Sequence, residues 1–244
     1  MEITYQPILH VPTGRVVKCE ALCRPPEAGL DLGAYVVSAE MNGSLHEYTN
    51  RVLDAVLADW QKHGPPTIDL SVNLTVADLG EHDICKRVEK ACKRNKFDPK
   101  RLWFEIDDRV QALVDPASLA NVACLTKLGV RLSIDGFGAE LTQATHYEVQ
   151  SLGVREVKVD GRYVRDADVN MNHRNVISAV VVMGSDLRVD VAVKNVERES
   201  IATLVARLGV SHAQGYYYAR PTSASTVSAL VERMLRSGPL PIGR

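Results

Sequence analysis

Short apolar runs with strand character alternate along this chain with longer segments of helical period, and no Pro-, Gly- or Ser-rich linker separates them. That alternation predicts a single α/β domain built on a parallel sheet. A third observation predicts that the sheet closes into a (β/α) barrel. Several successive runs carry an acid, amide or lysine inside or at their end, and barrel strands bring such positions to one rim.

The strand-like runs are 16–22, 67–74, 101–106, 130–134, 156–159, 187–193 and 211–218. Seven runs do not make eight; residues 5–9 can supply the missing strand, though periodicity fixes neither its direction nor closure. Between the runs, Val52, Leu53, Val56, Leu57 and Trp60 share one helical face, as do Leu119, Val122 and Leu125, and then Ile201, Leu204, Val205 and Leu208. Asp115 and Pro116 read as an N-cap followed by proline at the first helical position. The domain is expected to fill residues 1–244, with a C-terminal tail from about residue 232.

Composition narrows the function classes. A chain of 244 residues, 45% hydrophobic, suits one large core. A formal net charge of -1 removes any global electrostatic argument for nucleic-acid or membrane binding. In the segment 86–96, six of eleven residues are basic, but their spacing is that of a solvated helix face. Cys19, Cys23, Cys85, Cys92 and Cys124 form no CxxC pair, which points away from zinc or redox chemistry and toward a reducing cytoplasm. Met1 leads almost directly into Ile3-Thr4-Tyr5-Gln6-Pro7-Ile8 without a secretory signal pattern. No run approaches the roughly 18 apolar residues a bilayer span needs. A soluble, cytoplasmic protein is expected.

The polar residues that interrupt the runs are Glu20, Asn73, Glu105, Asp135 and Lys158. Any one of them alone reads as a strand end meeting solvent. Five in successive runs read as one site.

These residues also carry a family resemblance. Tyr5-Gln6-Pro7-Ile8 and Glu20-Ala21-Leu22-Cys23-Arg24 resemble the YQPI and ExLxR opening of EAL domains. Val72-Asn73-Leu74-Thr75 is similar to the VNLS segment, Phe104-Glu105-Ile106-Asp107-Asp108 to LEITE, and Ile134-Asp135-Gly136-Phe137-Gly138 to DDFG. Val157-Lys158-Val159-Asp160 resembles IKID, Lys194-Asn195-Val196-Glu197 resembles EGVE, and Gln214-Gly215-Tyr216 through Arg220-Pro221 resembles the QGY...RP ending. The resemblance implies a single (β/α)8 TIM-like barrel that hydrolyses one phosphodiester bond of cyclic di-GMP with two Mg²⁺ or Mn²⁺ ions. Hard cations take oxygen ligands, and a metal pair lowers the pKa of a bridging water. Glu20, Asn73, Glu105 and Asp135 would be the metal ligands, and Lys158 would orient the nucleophilic water. Arg24, with Glu20, would face the substrate phosphate, and Glu197 and Gln214 would complete the catalytic surroundings. Tyr216, Tyr217 and Tyr218 offer an aromatic face to a base, and alternation along a strand would send at least one into the core.

Two departures set this chain apart from that pattern. Gly136 stands where the second Asp of DDFG belongs, and Lys194 stands where the first Glu of EGVE belongs. Together they make the site three charge units more positive. A unit-charge pair at about 4 Å is worth roughly 4 kcal/mol at an effective dielectric of 20, so an ammonium facing dications opposes tight metal binding. Lys194 is expected either to pair with Glu105, Asp135 or Glu197 in place of a cation, or to point into solvent. After Phe137-Gly138 the chain reads Ala139-Glu140-Leu141-Thr142-Gln143-Ala144 instead of TGYSSL, the loop that in active relatives couples metal binding to dimer contacts.

Three readings stay open: a non-hydrolytic cyclic di-GMP receptor acting through an unidentified protein partner, an interaction module that no longer binds nucleotide, and a weakly active phosphodiesterase. Mg²⁺ or Mn²⁺ is expected only in the last, and a homodimer is compatible with all three.

Overall fold

The computed structural model describes residues 1–24, 32–107, 116–138 and 146–239. Eight strands close into a barrel in chain order: β1 (Ile3–His10), β2 (Arg15–Cys23), β3 (Asp69–Leu74), β4 (Leu102–Asp107), β5 (Arg131–Phe137), β6 (Glu156–Val159), β7 (Asp190–Val193) and β8 (His212–Ala213). β1 supplies the eighth strand. It runs antiparallel to both β2 and β8, while every other neighbouring pair is parallel. Among the described residues the helices are α1 (Leu32–Met41), α2 (Leu45–His63), α3 (Val76–Gly80), α4 (Ile84–Asn95), α5 (Pro116–Leu128), α6 (His146–Ser151), α7 (Gly161–Val164), α8 (Met171–Leu187), α9 (Glu199–Arg207) and α10 (Ala224–Ser237).

Strand alternation sorts the side chains into two populations. Leu70, Val72 and Leu74 of β3, Leu102, Phe104 and Ile106 of β4, and Val157 and Val159 of β6 join the apolar core, to which α2 adds Val52, Leu53, Val56, Leu57 and Trp60. The intervening residues point to the other face. There Ser71, Glu105, Ser133, Glu156 and Lys158 are at most 1% exposed and bond to one another across the barrel. The interior of this barrel is therefore a polar column, and the apolar core lies between the strands and the helices.

Local chemistry sets several boundaries. Thr75 and Asp78 form a reciprocal capping box at α3, and Asn170 accepts from the Asn172 and His173 N–H groups at the start of α8. Pro116 opens α5, as its fixed φ favours; Asp115 lies outside the described residues.

Other expectations need correction. The run 187–193 contains a helix end: α8 continues through Leu187 and closes on Arg188 at φ 58, so strand begins at Asp190. The run 211–218 holds a strand of only two residues, after which Gly215 lies so close to Val196 that a Cβ would fall 2.0 Å from its carbonyl oxygen. Leu119 is 40% exposed, leaving Val122 and Leu125 to form the buried stripe of α5. The tail expected from residue 232 is helical through Ser237. The segment 86–96 does lie along α4, where Lys93 pairs with Glu89 and Arg94 with Asp54 on the surface.

Cys85 of α4 is bonded to Cys124 of α5 across 39 residues of sequence. Such bridges are rare in reducing compartments, so this pair departs from the expectation drawn from cysteine spacing. Among the described residues no helix is long and apolar enough to cross a membrane.

Candidate functional site

Strand register assembles the site at the carboxyl ends of the parallel strands. Asn73 of β3 lies opposite Glu105 of β4, and Asp135 of β5 opposite Lys158 of β6. Glu20 sits near the end of β2, while Lys194 and Gln214 directly follow β7 and β8. All five strand-borne polar residues singled out in the sequence thus reach one rim.

Lys158 is the centre of the buried half. Its Nζ donates to Glu105, to Glu20 Oε2 at 3.3 Å and to Gln214 Oε1 at 3.4 Å. Glu105 also accepts from the Ser71 hydroxyl. Glu20 accepts from Asn73 Nδ2 at 3.0 Å and from Gln214 Nε2 at 2.8 Å, and the same Gln214 nitrogen lies 3.1 Å from Gln6 Oε1. Two carboxylates therefore share one ammonium. Burial works to raise the Glu20 carboxyl, but Lys158 and the Asn73 and Gln214 amides override it and hold the group at about 2. Burial and the neighbouring Glu20 charge push Glu105 up to about 7 against the pull of Lys158. Burial disfavours the Lys158 charge, yet Glu105 and Glu20 keep its pKa well above lysine's ordinary value.

The outer half holds the two departures. Lys194 Nζ donates to both carboxylate oxygens of Asp135 at 2.8 Å each, in a pair with side chains 29% and 25% exposed. Of the partners expected for this ammonium, Asp135 is the one it reaches. Gly136 forms an irregularity in the β5–β6 register at φ +79, and its N–H donates to Asp135 Oδ1 at 2.8 Å. A Cβ at Gly136 would meet nothing within 4 Å, so space is open there, but the backbone is one that side chains strain to adopt.

Two cavities flank these groups. One, of about 230 Å³, runs from Asn73, Glu105 and Asp135 toward apolar residues of α1 and α2. The other, of about 320 Å³, is lined by Glu20, Arg165, Lys194, Glu197, Gln214 and Tyr216 among others. Glu197 is exposed on its rim, and Tyr216, half exposed, carries the Arg220 guanidinium 4.4 Å from its ring centre. Tyr216, Tyr217 and Tyr218 lie in a turn rather than a strand; the last two pack against the core, and the Tyr217 and Tyr218 rings meet edge to face.

Arg24 does not join this cluster. Its side chain is 78% exposed, with Nε 3.6 Å from Glu2. Pro25 and Pro26, Asp108 and the departure at 139–144 lie outside the described residues. Sequence reasoning missed Gln6 and Ser71, which two-residue alternation from Asn73 and across β1 could have flagged, and Arg165, for which the sequence carries no comparable signal.

The comparisons agree with this fold. Residues 1–221 match the EAL domain. Among its relatives, the bifunctional diguanylate cyclase/cyclic di-GMP phosphodiesterase MucR of Pseudomonas aeruginosa is 27% identical over 93% of this chain, which spans 34% of MucR. The probable cyclic di-GMP phosphodiesterase PdeI of Escherichia coli is 25% identical over 90% of the chain, which spans 28% of PdeI. The MucR phosphodiesterase structure, a cyclic di-GMP complex, superposes with a TM-score of 0.83 at 25% identity, covering 93% of each chain. The EAL domain of DcpA from Mycobacterium smegmatis has the same fold, with a TM-score of 0.80 at 22% identity over 98% of this chain and 99% of its own. Eight ordered motifs, a closed barrel with one antiparallel strand and a match over residues 1–221 lead to one conclusion: this chain belongs to the EAL domain family.

Proposed function

We propose that this chain acts in cyclic di-GMP signalling as a receptor that binds the nucleotide without hydrolysing it and passes the signal to a partner protein. One observation carries the reading: Lys194 spans both oxygens of Asp135 at 2.8 Å, where the family pattern has a carboxylate facing metal. A divalent pair, when bound, would supply an activated water and a clamp on the phosphoryl oxygens. The donor set does not fit it. Asp135 is engaged on both oxygens by Lys194, Glu105 by Ser71 and Lys158, and Glu20 by Asn73, Gln214 and Lys158, while position 136 offers no side chain. An ammonium balances charge but has no acceptor site and cannot lower the pKa of a water as a dication does.

Binding asks for less than hydrolysis. The cleft of about 320 Å³ keeps an aromatic ring, a cationic rim and the Gln214 amide, groups suited to a base and a phosphodiester. The relatives' cyclic di-GMP complexes, MucR and the EAL domain of FimX from Pseudomonas aeruginosa, support cyclic di-GMP as the ligand to test.

The test is equilibrium titration with cyclic di-GMP in chelator and again in Mg²⁺ or Mn²⁺, beside a hydrolysis assay. Saturable binding that is indifferent to metal, with negligible linear product, is expected. Turnover of roughly 1 per second or more would make the chain a phosphodiesterase. Absence of binding at high micromolar nucleotide would leave an interaction module. Gly136→Asp with Lys194→Glu should recover measurable metal binding, at the backbone cost set by φ +79.

A further inference from the structure

Several cations around the cleft are matched by carboxylates, and Arg165 is not. Lys158 is held by Glu105 and Glu20, Lys194 by Asp135, and Arg198 by Asp168 at 2.6 Å. Arg165, just after α7, is exposed, lines the cleft and has no ion-pair partner among the described residues. What holds it is an amide. With the Asn195 oxygen turned toward the guanidinium, it accepts from Nε and Nη2 of Arg165 at 3.2 Å each. A carboxylate there would cancel the charge; an amide fixes direction and leaves the charge in place. One edge of the guanidinium is thereby used, and the edge formed by Nη1 and the second Nη2 proton remains for a bidentate acceptor.

The local backbone is built around this contact. Asn195 sits at φ 64, a conformation that asparagine tolerates better than most side chains. It packs over Gly161, where a Cβ would lie 2.1 Å from the Asn195 amide. Glycine at 161 and asparagine at 195 together place the amide against Arg165.

The geometry points to Arg165 as a phosphate-binding residue that Asn195 positions. Resting on the receptor reading, its free edge takes one of the two phosphodiester groups of cyclic di-GMP directly, with no metal between them. Phosphodiester oxygens match the planar fork, and the bond is charge-assisted.

Wild type, Arg165→Ala, Arg165→Lys, Asn195→Gly and the Arg165→Ala/Asn195→Gly double variant are titrated with cyclic di-GMP in chelator. Arg165 is exposed, so its variants should melt near wild type, which thermal unfolding checks. Arg165→Ala should raise Kd ten-fold or more, and Arg165→Lys should recover part by restoring charge without the fork. Asn195→Gly should weaken binding by a smaller factor and have no further effect once Arg165 is alanine. If wild type binds and Arg165→Ala binds equally well, this inference fails and the receptor reading stands. If Asn195→Gly weakens both backgrounds equally, Asn195 does not act through Arg165. If wild type does not bind, both the inference and the receptor reading fall.

Discussion

The two ends of the barrel interior are built from the same residue types and reach opposite results. At the amino-terminal end of the strands, Lys18 Nζ lies 2.6 Å from Glu156 Oε1, and Glu156 also bonds Ser133 at 2.9 Å and His212 Nδ1 at 2.8 Å. Lys18 is seated 4.0 Å from the centre of the Trp103 ring, whose Nε1 donates to Asp69 at 3.0 Å. Burial works to raise the Glu156 carboxyl, yet Lys18 and His212 hold it below the usual carboxylate range. At the other end, two buried acids share Lys158, one acid is pushed up to about 7, and a half-wet ion pair borders an open cleft. The closed end has one fully buried acid, Glu156, matched and covered. The open end has more acids than its buried ammonium can match and keeps donors free. In a barrel the former serves stability and the latter serves a ligand.

The comparison breaks most visibly at the closed end. Glu156→Gln should cost about 3–5 kcal/mol in urea unfolding, because Lys18, 2% exposed, would lose the carboxylate that balances it. Since the folded pKa of Glu156 is depressed, its contribution is present above the ordinary 4.5 and is lost as pH falls below it. The variant should therefore show a flatter acid limb than wild type. An unchanged midpoint would mean that the two ends do not differ in the way described.

Glu105 should give a smaller effect of the opposite sign. Its folded pKa of about 7 lies above the ordinary 4.5, so its contribution is present below 4.5 and is lost as pH rises to 7. Relative to Glu105→Gln, wild type should lose stability across that window, measured as the unfolding midpoint from pH 4.5 to 7. A parallel pair of curves would assign the excess proton elsewhere in the cluster.

Smallest is the outer pair. Lys194→Ala should cost about 1–3 kcal/mol, between the values for exposed and buried pairs, because both side chains are a quarter or more exposed. Mn²⁺ or Mg²⁺ should return part of that loss by binding the freed Asp135 in the folded state. Melting identical to wild type, with no response to metal, would make Lys194 a surface residue and weaken its role as a substitute for a cation.

What the sequence made legible follows from periodicity. The ladder residues Glu20, Asn73, Glu105, Asp135 and Lys158 interrupt apolar runs, and the strands carry them to one rim. Counting charge offered Lys194 a pairing with Glu105, Asp135 or Glu197, or an exposed position, and the structure pairs it with Asp135. The closed end escaped notice because Lys18, Glu156 and His212 sit at strand beginnings, where a polar residue resembles ordinary solvent exposure. Arg24 was assigned by motif, yet the side chain lies beside Glu2, since an exposed arginine is placed by weak contacts that a motif does not encode. Cys85 and Cys124 are adjacent because α4 packs on α5, a tertiary fact invisible in their spacing. The short β8 and the turn through the tyrosines arise from the close approach of Gly215 to Val196.

The contact between Gly161 and Asn195 also couples two positions of this cleft. An alanine at 161 would place its methyl 2.1 Å from the Asn195 amide, so asparagine in this rotamer is compatible only with glycine opposite it. The reverse does not hold, because glycine at 161 excludes nothing at 195. The coupling runs one way: any side chain at 161 must turn the Asn195 amide away from its present position, whereas a change at 195 leaves Gly161 unconstrained.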